Sequence, residues 1–256
     1  MDMKEKLVSV IYENRLLHGI FLKLRDLYLC SIYLLLRDFK VRDINLFDRK
    51  VYSQNGEDGI LQLIFHKIGV TNRYFVEFGV GNGTICNTGY LREKHGWKGL
   101  MMDAAGGNSG IKKEFITAEN INGLFRKHKV PRDFDLLSID IDFNDYWVWK
   151  AIEGYSPRVV VIEYNGSVPP DESRAVRYEP QRQWDGSDYY GASLLALAKL
   201  ARKKGYRLVG CDRMGVNAFF VKDELIKDRF EIKDVSEAYR RSKYMHRPST
   251  EAMAEV

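Results

Sequence analysis

The chain has 256 residues, 45% hydrophobic and 29% charged, with 21 glycines and 6 prolines. It is long enough to bury a full core, and its composition is ordinary for a globular protein, which excludes disordered, collagen-like and coiled-coil organisation. The 40 Lys and Arg outnumber the 35 Asp and Glu by five, a mild excess spread along the chain apart from short clusters at 202–204 and 240–243, so solvated helix faces account for it better than a nucleic-acid surface.

Residues 1–48 read as two amphipathic helices, a helical extension ahead of the main domain. Within them Leu27 to Leu36 is a mostly apolar run of ten residues, preceded by Lys23, Arg25 and Asp26 and followed by Arg37 and Asp38. A membrane span needs about 20 apolar residues. A buried helix, or one that contacts a second subunit in a possible homodimer, is the plain expectation, with peripheral membrane contact as the alternative. The opening Met-Asp-Met-Lys-Glu-Lys is not followed by the apolar run and cleavage site of a secretory signal. The three cysteines, Cys30, Cys86 and Cys211, are far apart and odd in number, so no disulfide framework or zinc knuckle is expected. A reducing, cytoplasmic setting follows.

From residue 50 onward helix and strand patterns alternate, the mark of an α/β fold with a parallel sheet. A helix is expected over 60–68, a strand over 74–78, a helix over 88–95 and a strand over 99–103. A third strand falls near 115–117, then a helix over 122–129, a strand over 135–141 and a helix over 146–152. The β-branched run 158–163 suits a strand buried on both faces. Residues 165–188 make a long polar loop with Pro169, Pro170 and Pro180, of the length that usually carries function. A helix over 193–204 and a hairpin-like pair of strands at 207–211 and 217–221 complete the domain. Residues 223–256 form a charged, helical tail.

The strongest local signal is Val76-Glu77-Phe78-Gly79-Val80-Gly81-Asn82-Gly83. A strand ends there, and glycines let the backbone turn and approach a ligand closely, at the place where open α/β sheets form their ligand crevice. A dinucleotide fingerprint wants a third glycine where Thr84 stands. Glu-x-Gly-x-Gly-x-Gly instead matches the first motif of class I S-adenosylmethionine-dependent methyltransferases, with Glu77 accepting hydrogen bonds in the cofactor's network. Asp103 ends the next strand, where a carboxylate can accept both ribose hydroxyls of an adenosine. A tight strand–helix turn and a helix cap are the bland readings of these two features.

In Ser138-Ile139-Asp140-Ile141-Asp142 the two carboxylates, spaced two apart, project together from a strand. The following strand ends in Glu163-Tyr164-Asn165. Asp140, Glu163 and Asn165 offer oxygen ligands suited to magnesium or manganese, which could lower the pKa of an acceptor hydroxyl. Asp142 is the alternative ligand, or a general base. The same acids could cap helices or balance a sulfonium charge. In the loop 184–191, Trp184, Asp185, Tyr189 and Tyr190 set aromatic faces beside carboxylates, as a sugar-binding wall does. Trp184 and Tyr190 could equally anchor the loop to the core.

Taken together, residues 52–58, 77–83, 86–88 and 96–99, Asp103, 138–142 and 215–218 resemble the FkbM-type methyltransferases over roughly residues 50–222. The resemblance implies a Rossmann-like class I methyltransferase fold with a mostly parallel seven-stranded sheet and helices on both faces. It implies methylation of sugar or polyketide hydroxyls, often in glycan building. It implies that Gln54 to Asp58, including Glu57, fold over the methionine end of S-adenosylmethionine, and that Glu119 and Asn120 lie near the adenine. The acid set also resembles the metal triad of catechol and macrolide-sugar O-methyltransferases, with Glu163 in place of the second Asp and Tyr164 inserted before Asn165.

The expectation is therefore a helical extension (1–48), a methyltransferase domain (49–222) and a charged tail (223–256). Its activity would be O-methylation of a sugar or glycan, with catalytic Asp140, Asp142 and Glu163 and cofactor contacts from Gln54, Glu57, Asp58, Glu77, Gly79, Gly81, Gly83, Asp103, Glu119, Asn120 and Asp140. A metal-dependent glycosyltransferase using Asp140 and Asp142, a non-catalytic scaffold, and a methyltransferase of nucleic acid or protein are the alternatives.

Overall fold

The computed structural model describes residues 39–106 and 110–256. The chain divides into two compact units, Met1–Lys40 and Val41–Val256. The expected N-terminal helices up to residue 38, with the Leu27–Leu36 run and Cys30, lie outside the described residues. The second unit already includes Val41, whose amide donates to the Arg229 carbonyl at 2.9 Å, and a short 3-10 turn at Ile44–Phe47.

The central sheet has seven strands: β1 (Tyr74–Phe78), β2 (Lys98–Asp103), β3 (Ile111–Lys113), β4 (Asp133–Ile139), β5 (Ser156–Glu163), β7 (Tyr206–Cys211) and β8 (Asn217–Lys222). Their spatial order is β3-β2-β1-β4-β5-β8-β7. The first five run parallel, and β8 enters antiparallel between β5 and β7. This is a mostly parallel, Rossmann-like α/β sheet. Its order reverses at β1, which pairs with β2 on one side and β4 on the other. In such sheets the crevice at the carboxyl ends of the strands flanking the reversal takes the ligand.

The sequence explains the centre of this sheet. Val159, Val160, Val161 and Ile162 are fully buried, as a strand covered on both faces requires. Helix α1 (Glu57–Ile68) starts after Gly56, carries Glu57 and Asp58 in its first turn and His66 and Lys67 in its last, and buries Ile60, Leu61, Ile64, Phe65 and Ile68. That charge order suits the helix dipole. Helices α2 (Gly89–His95), α3 (Ile121–Lys127), α4 (Asp145–Ala151) and α5 (Leu194–Lys203) link the remaining strands. At the amino end of the sheet the buried Asp135 accepts backbone N–H groups of Thr71, Asn72 and Arg73 at 2.7–3.0 Å and pairs with Arg158 at 2.9 Å. This carboxylate is structural, because its lone pairs are spent on the turn into β1.

Two expectations are corrected. The third strand is Ile111–Lys113, not 115–117, because a three-residue edge strand reading Ile-Lys-Lys carries no apolar alternation. The tail is not a helix that frays. It holds only the short helices α6 (Asp223–Ile226) and α7 (Val235–Ala238), then runs extended as a strap to a two-residue ladder between β6 (Arg174–Ala175) and β9 (Ala254–Glu255). The strap is bonded along its length. Ser242 N–H donates to the Gly166 carbonyl and Lys243 N–H to the Met214 carbonyl, and the Asp188 and Val256 amides donate to the Arg247 and Ser173 carbonyls, all at 2.9–3.1 Å. Gly215 lies under it with φ +74, and a Cβ there would fall 2.5 Å from the Arg241 carbonyl oxygen. No helix among the described residues is long and apolar enough to cross a membrane.

Candidate active site

A cleft of about 320 Å³ opens at the carboxyl ends of β1, β2 and β4. Gly79, Asp103, Phe115, Ile116, Asp142 and Trp184 are among its lining residues. The site thus gathers the end of β1, the end of β2, the segment before α3, the turn after β4 and the long loop. Its volume is at the lower end of the usual range for small-molecule pockets.

Gly79 is required where it stands. Its φ is +65, and a Cβ would lie 1.5 Å from the carbonyl oxygen of Asp140. Gly81 has φ +52 with open space where a Cβ would be, whereas at Gly83 (φ +75) it would meet Ile111 at 2.9 Å. Asp103 reaches back to this loop. One carboxylate oxygen accepts from Gly81 N–H and the other from Ala105 N–H, each at 2.8 Å. Each oxygen retains a lone pair, so Asp103 can still receive hydroxyl donors.

Behind the cleft, Asp140, Asp142 and Glu163 converge, with one carboxylate oxygen of each within 4.8 Å of the other two. Strand alternation is not what aligns the two aspartates. Strand β4 ends at Ile139, and Asp142 turns back with φ +64, a strained conformation for a residue with a side chain. Asp145, fully buried at the start of α4, joins them. Its Oδ1 accepts from Ile141 N–H at 2.8 Å, while its Oδ2 and Glu163 Oε2 are buried without a hydrogen-bond partner among the described residues.

The electrostatics follow from this crowding. Burial, then Asp142 and Asp145, raise the Asp140 carboxyl well above its usual range. Burial, then Asp140, Asp145 and Asp142, do the same to Glu163. Burial also lifts Asp145 to about 7, and burial with Asp103 raises Asp142. A crowded carboxylate group of this kind, with Asp140 and Glu163 half-buried and Asp142 exposed, is stabilised by a proton or a cation.

Several expected site residues have other work. Glu77 is buried and accepts from Asn87 N–H, Thr88 N–H and the Thr88 hydroxyl, so it anchors the start of α2. Asp58 Oδ2 gathers the N–H groups of Val51, Tyr52 and Ser53 at 2.7–2.9 Å. Glu57 accepts from Asn55 N–H and from Asn217. Both acids shape the 51–58 turn and have no place in the cleft lining. Gln54 is exposed and donates to Tyr244 Oη at 3.2 Å. Glu119 accepts from Tyr178 Oη at 2.5 Å. Asn120 bonds Thr117 N–H and the Phe115 carbonyl at 2.8–2.9 Å, and so fixes the segment that brings Phe115 and Ile116 to the cleft.

Asn165 is also placed differently. It is fully buried. Its amide nitrogen donates to the carbonyls of Asp188 and Tyr190 and its oxygen accepts from Ser167 N–H. It ties the long loop to the end of β5, and Asp142 takes the third place in the carboxylate group. Tyr189 is a core residue packed on Phe143, with Arg182 stacked 5.0 Å over both rings. Asp185 pairs with Arg247 at 3.1 Å. Trp184 remains 38% exposed and lines the cleft. Tyr190 is buried, and burial, then Glu163, Asp140 and Asp145, push its phenol upward.

The sequence reading missed Asp145, Phe115 and the strap residues Tyr244 and His246. Asp145 alone had a local signal, an acid at the first position of a helix three residues after Asp142.

No family model matches the chain, and no curated protein matches it. Among solved structures, the crystal structure of TnmH is similar at a TM-score of 0.35 and 18% identity, over 58% of this chain and 49% of that one. The chain thus spans about half the length of that structure, and a likeness at this level carries no argument about activity.

Proposed function

We propose that the protein is an S-adenosylmethionine-dependent O-methyltransferase that methylates a sugar or glycan hydroxyl with a divalent ion, magnesium or manganese, in the carboxylate group. The observation that carries this reading is the single cleft in which Gly79, Asp103, Phe115 and Asp142 meet. A glycine cradle, a carboxylate with lone pairs to spare, an exposed aromatic and an acid beside further acids are what an adenosine with a reacting group at its far end requires.

The residues fit both groups. Gly81 leaves open space for close approach, Asp103 would accept the ribose hydroxyls, and Phe115 and Ile116 would flank the base. The oxygens of Asp140, Asp142 and Glu163 lie near the span expected around an ion with bonds of about 2.1 Å, and the unpartnered oxygens of Glu163 and Asp145 are the kind a cation satisfies. When bound, the cofactor supplies a methyl group activated by its sulfonium, and the ion supplies charge that acidifies a hydroxyl. The chain's own part is alignment and proton removal. Asp142, open to the cleft, would either complete the ion's ligands or take the acceptor's proton, and Trp184 would hold the acceptor from the side of the long loop.

The test is ligand stabilisation in parallel. S-adenosylmethionine and S-adenosylhomocysteine should raise the melting temperature, and NAD and UDP-glucose should not. A shift with UDP-glucose and magnesium alone would overturn this reading in favour of glycosyl transfer through Asp140 and Asp142. No shift with any nucleoside would favour a scaffold.

A further inference from the structure

The C-terminal strap brings His246 to the wall that Trp184 forms. The imidazole centroid lies 5.4 Å from the Trp184 ring and 5.2 Å from Tyr190, and those two rings are 6.0 Å apart. The three rings meet edge to face, an arrangement aromatic groups favour. The cluster bridges two parts of the site, since Trp184 lines the cleft and Tyr190 lies close enough to Glu163, Asp140 and Asp145 to feel their charge.

His246 is held from both sides. Two residues earlier, Tyr244 Oη donates to Asn55 Oδ1 at 2.9 Å. One residue later, Arg247 receives the Asp188 amide on its carbonyl, donates its own amide to Gly186 and pairs with Asp185. The imidazole is half-buried, yet among the described residues neither ring nitrogen has a hydrogen-bond partner. A ring fixed by packing against Trp184, itself a lining residue of the cleft, with an idle donor and acceptor edge, has the form of a preorganised binding group.

We propose that His246 is an acceptor-binding residue: its imidazole hydrogen-bonds a hydroxyl of the methyl acceptor while Trp184 offers the face on which the acceptor's pyranose ring stacks. Pyranoses pair an apolar C–H face with a rim of hydroxyls, and this wall pairs an aromatic face with a polar imidazole edge. The proposal rests on the methyltransferase reading for its substrate class. It also assigns the strap, far from the glycine loop in sequence, a direct part in specificity.

The test uses the full chain with magnesium, with and without S-adenosylhomocysteine, and the methyl glycosides of glucose, mannose, rhamnose and fucose as probes. Saturation-transfer NMR reads contact between protein and sugar. The wild type should contact at least one glycoside. His246→Phe keeps the ring packing and removes the nitrogens. It should weaken that contact by about 5- to 10-fold, the cost of one hydrogen bond, with an unchanged melting temperature. His246→Gln should retain part of it, and S-adenosylhomocysteine affinity should stay within about twofold in each variant because the cofactor contacts are elsewhere. A His246→Phe variant that binds the glycoside like wild type would overturn the proposal, as would a wild type that binds S-adenosylhomocysteine but none of the sugars. A wild type that binds sugars through His246 but no S-adenosylhomocysteine would keep this assignment and overturn the methyltransferase reading instead. Binding of neither would overturn both.

Discussion

Gly79 and Asp140 meet through their backbones: a Cβ on Gly79 would fall 1.5 Å from the Asp140 carbonyl oxygen. The turn leaving β1 is therefore packed directly on the segment that carries the carboxylate group, which couples the proposed cofactor loop to the proposed metal residues. Gly79→Ala should separate them. The left-handed φ alone costs about 1–3 kcal/mol, and the contact requires the 140–142 segment to move. A lower melting temperature together with lost ligand stabilisation is expected. A variant with both unchanged would show that the two segments are independent.

Asp145 of the carboxylate group, and the buried Asp212 outside it at the end of β7, should make the metal-free protein less stable as pH rises. Asp145 and Asp212 have pKa values of about 7 in the fold, far above an unfolded aspartate at about 4. For Asp212, burial outweighs the hydrogen bonds it accepts from Asn217, Met214 and Val216. Between about pH 4 and 7 the folded state then holds more protons than the unfolded one, so stability is greatest at the acid end of this window and falls across it. Melting temperatures from pH 5 to 7.5 in EDTA should decline, and magnesium should flatten the decline. A steady rise over that range would contradict the assignment.

Asp145→Asn should stabilise the metal-free protein at pH 7.5. The amide keeps an acceptor for Ile141 N–H and places a donor where Oδ2 stands unpartnered among acids. A gain of about 1 kcal/mol in denaturant unfolding is expected, the scale of one hydrogen bond formed and one buried charge removed. A loss of similar size would show that the Asp145 charge is already compensated in the native state.

The buried acid at the other end of the sheet should behave oppositely. Asp135→Ala leaves the 71–73 amides without their acceptor and Arg158 with only the Ile68 and Gly69 carbonyls, and breaking a buried pair costs about 3–5 kcal/mol. Stability should fall by that order while cofactor affinity of the folded fraction is kept. A change in affinity without one in stability would move Asp135 from scaffold to site.

The chain's local rules made β1, β4, β5 and the glycine turn legible, because buried β-branched runs and a Gly-rich strand exit are signals within a few residues. Asp103 and the Asp140, Asp142 and Glu163 group were legible for the same reason: each sits at or just beyond a strand's carboxyl end. The strap was not. Its contacts, such as Tyr244 with Asn55 and His246 with Trp184, join residues far apart in sequence and leave no periodic trace. Glu57, Asp58, Glu77 and Asn165 show the converse limit. A polar residue beside a site motif has the same sequence signature whether it meets a ligand or satisfies the backbone amides of its own turn, and only the hydrogen-bond partners separate the two.

The most direct measurement is calorimetric titration of S-adenosylhomocysteine into wild type and Asp103→Ala. The account predicts binding by the wild type and an affinity about 10- to 100-fold weaker in the variant, the scale of hydrogen bonds to a charged group. No binding by the wild type, or equal affinity in both proteins, would contradict the assignment of this cleft to the cofactor.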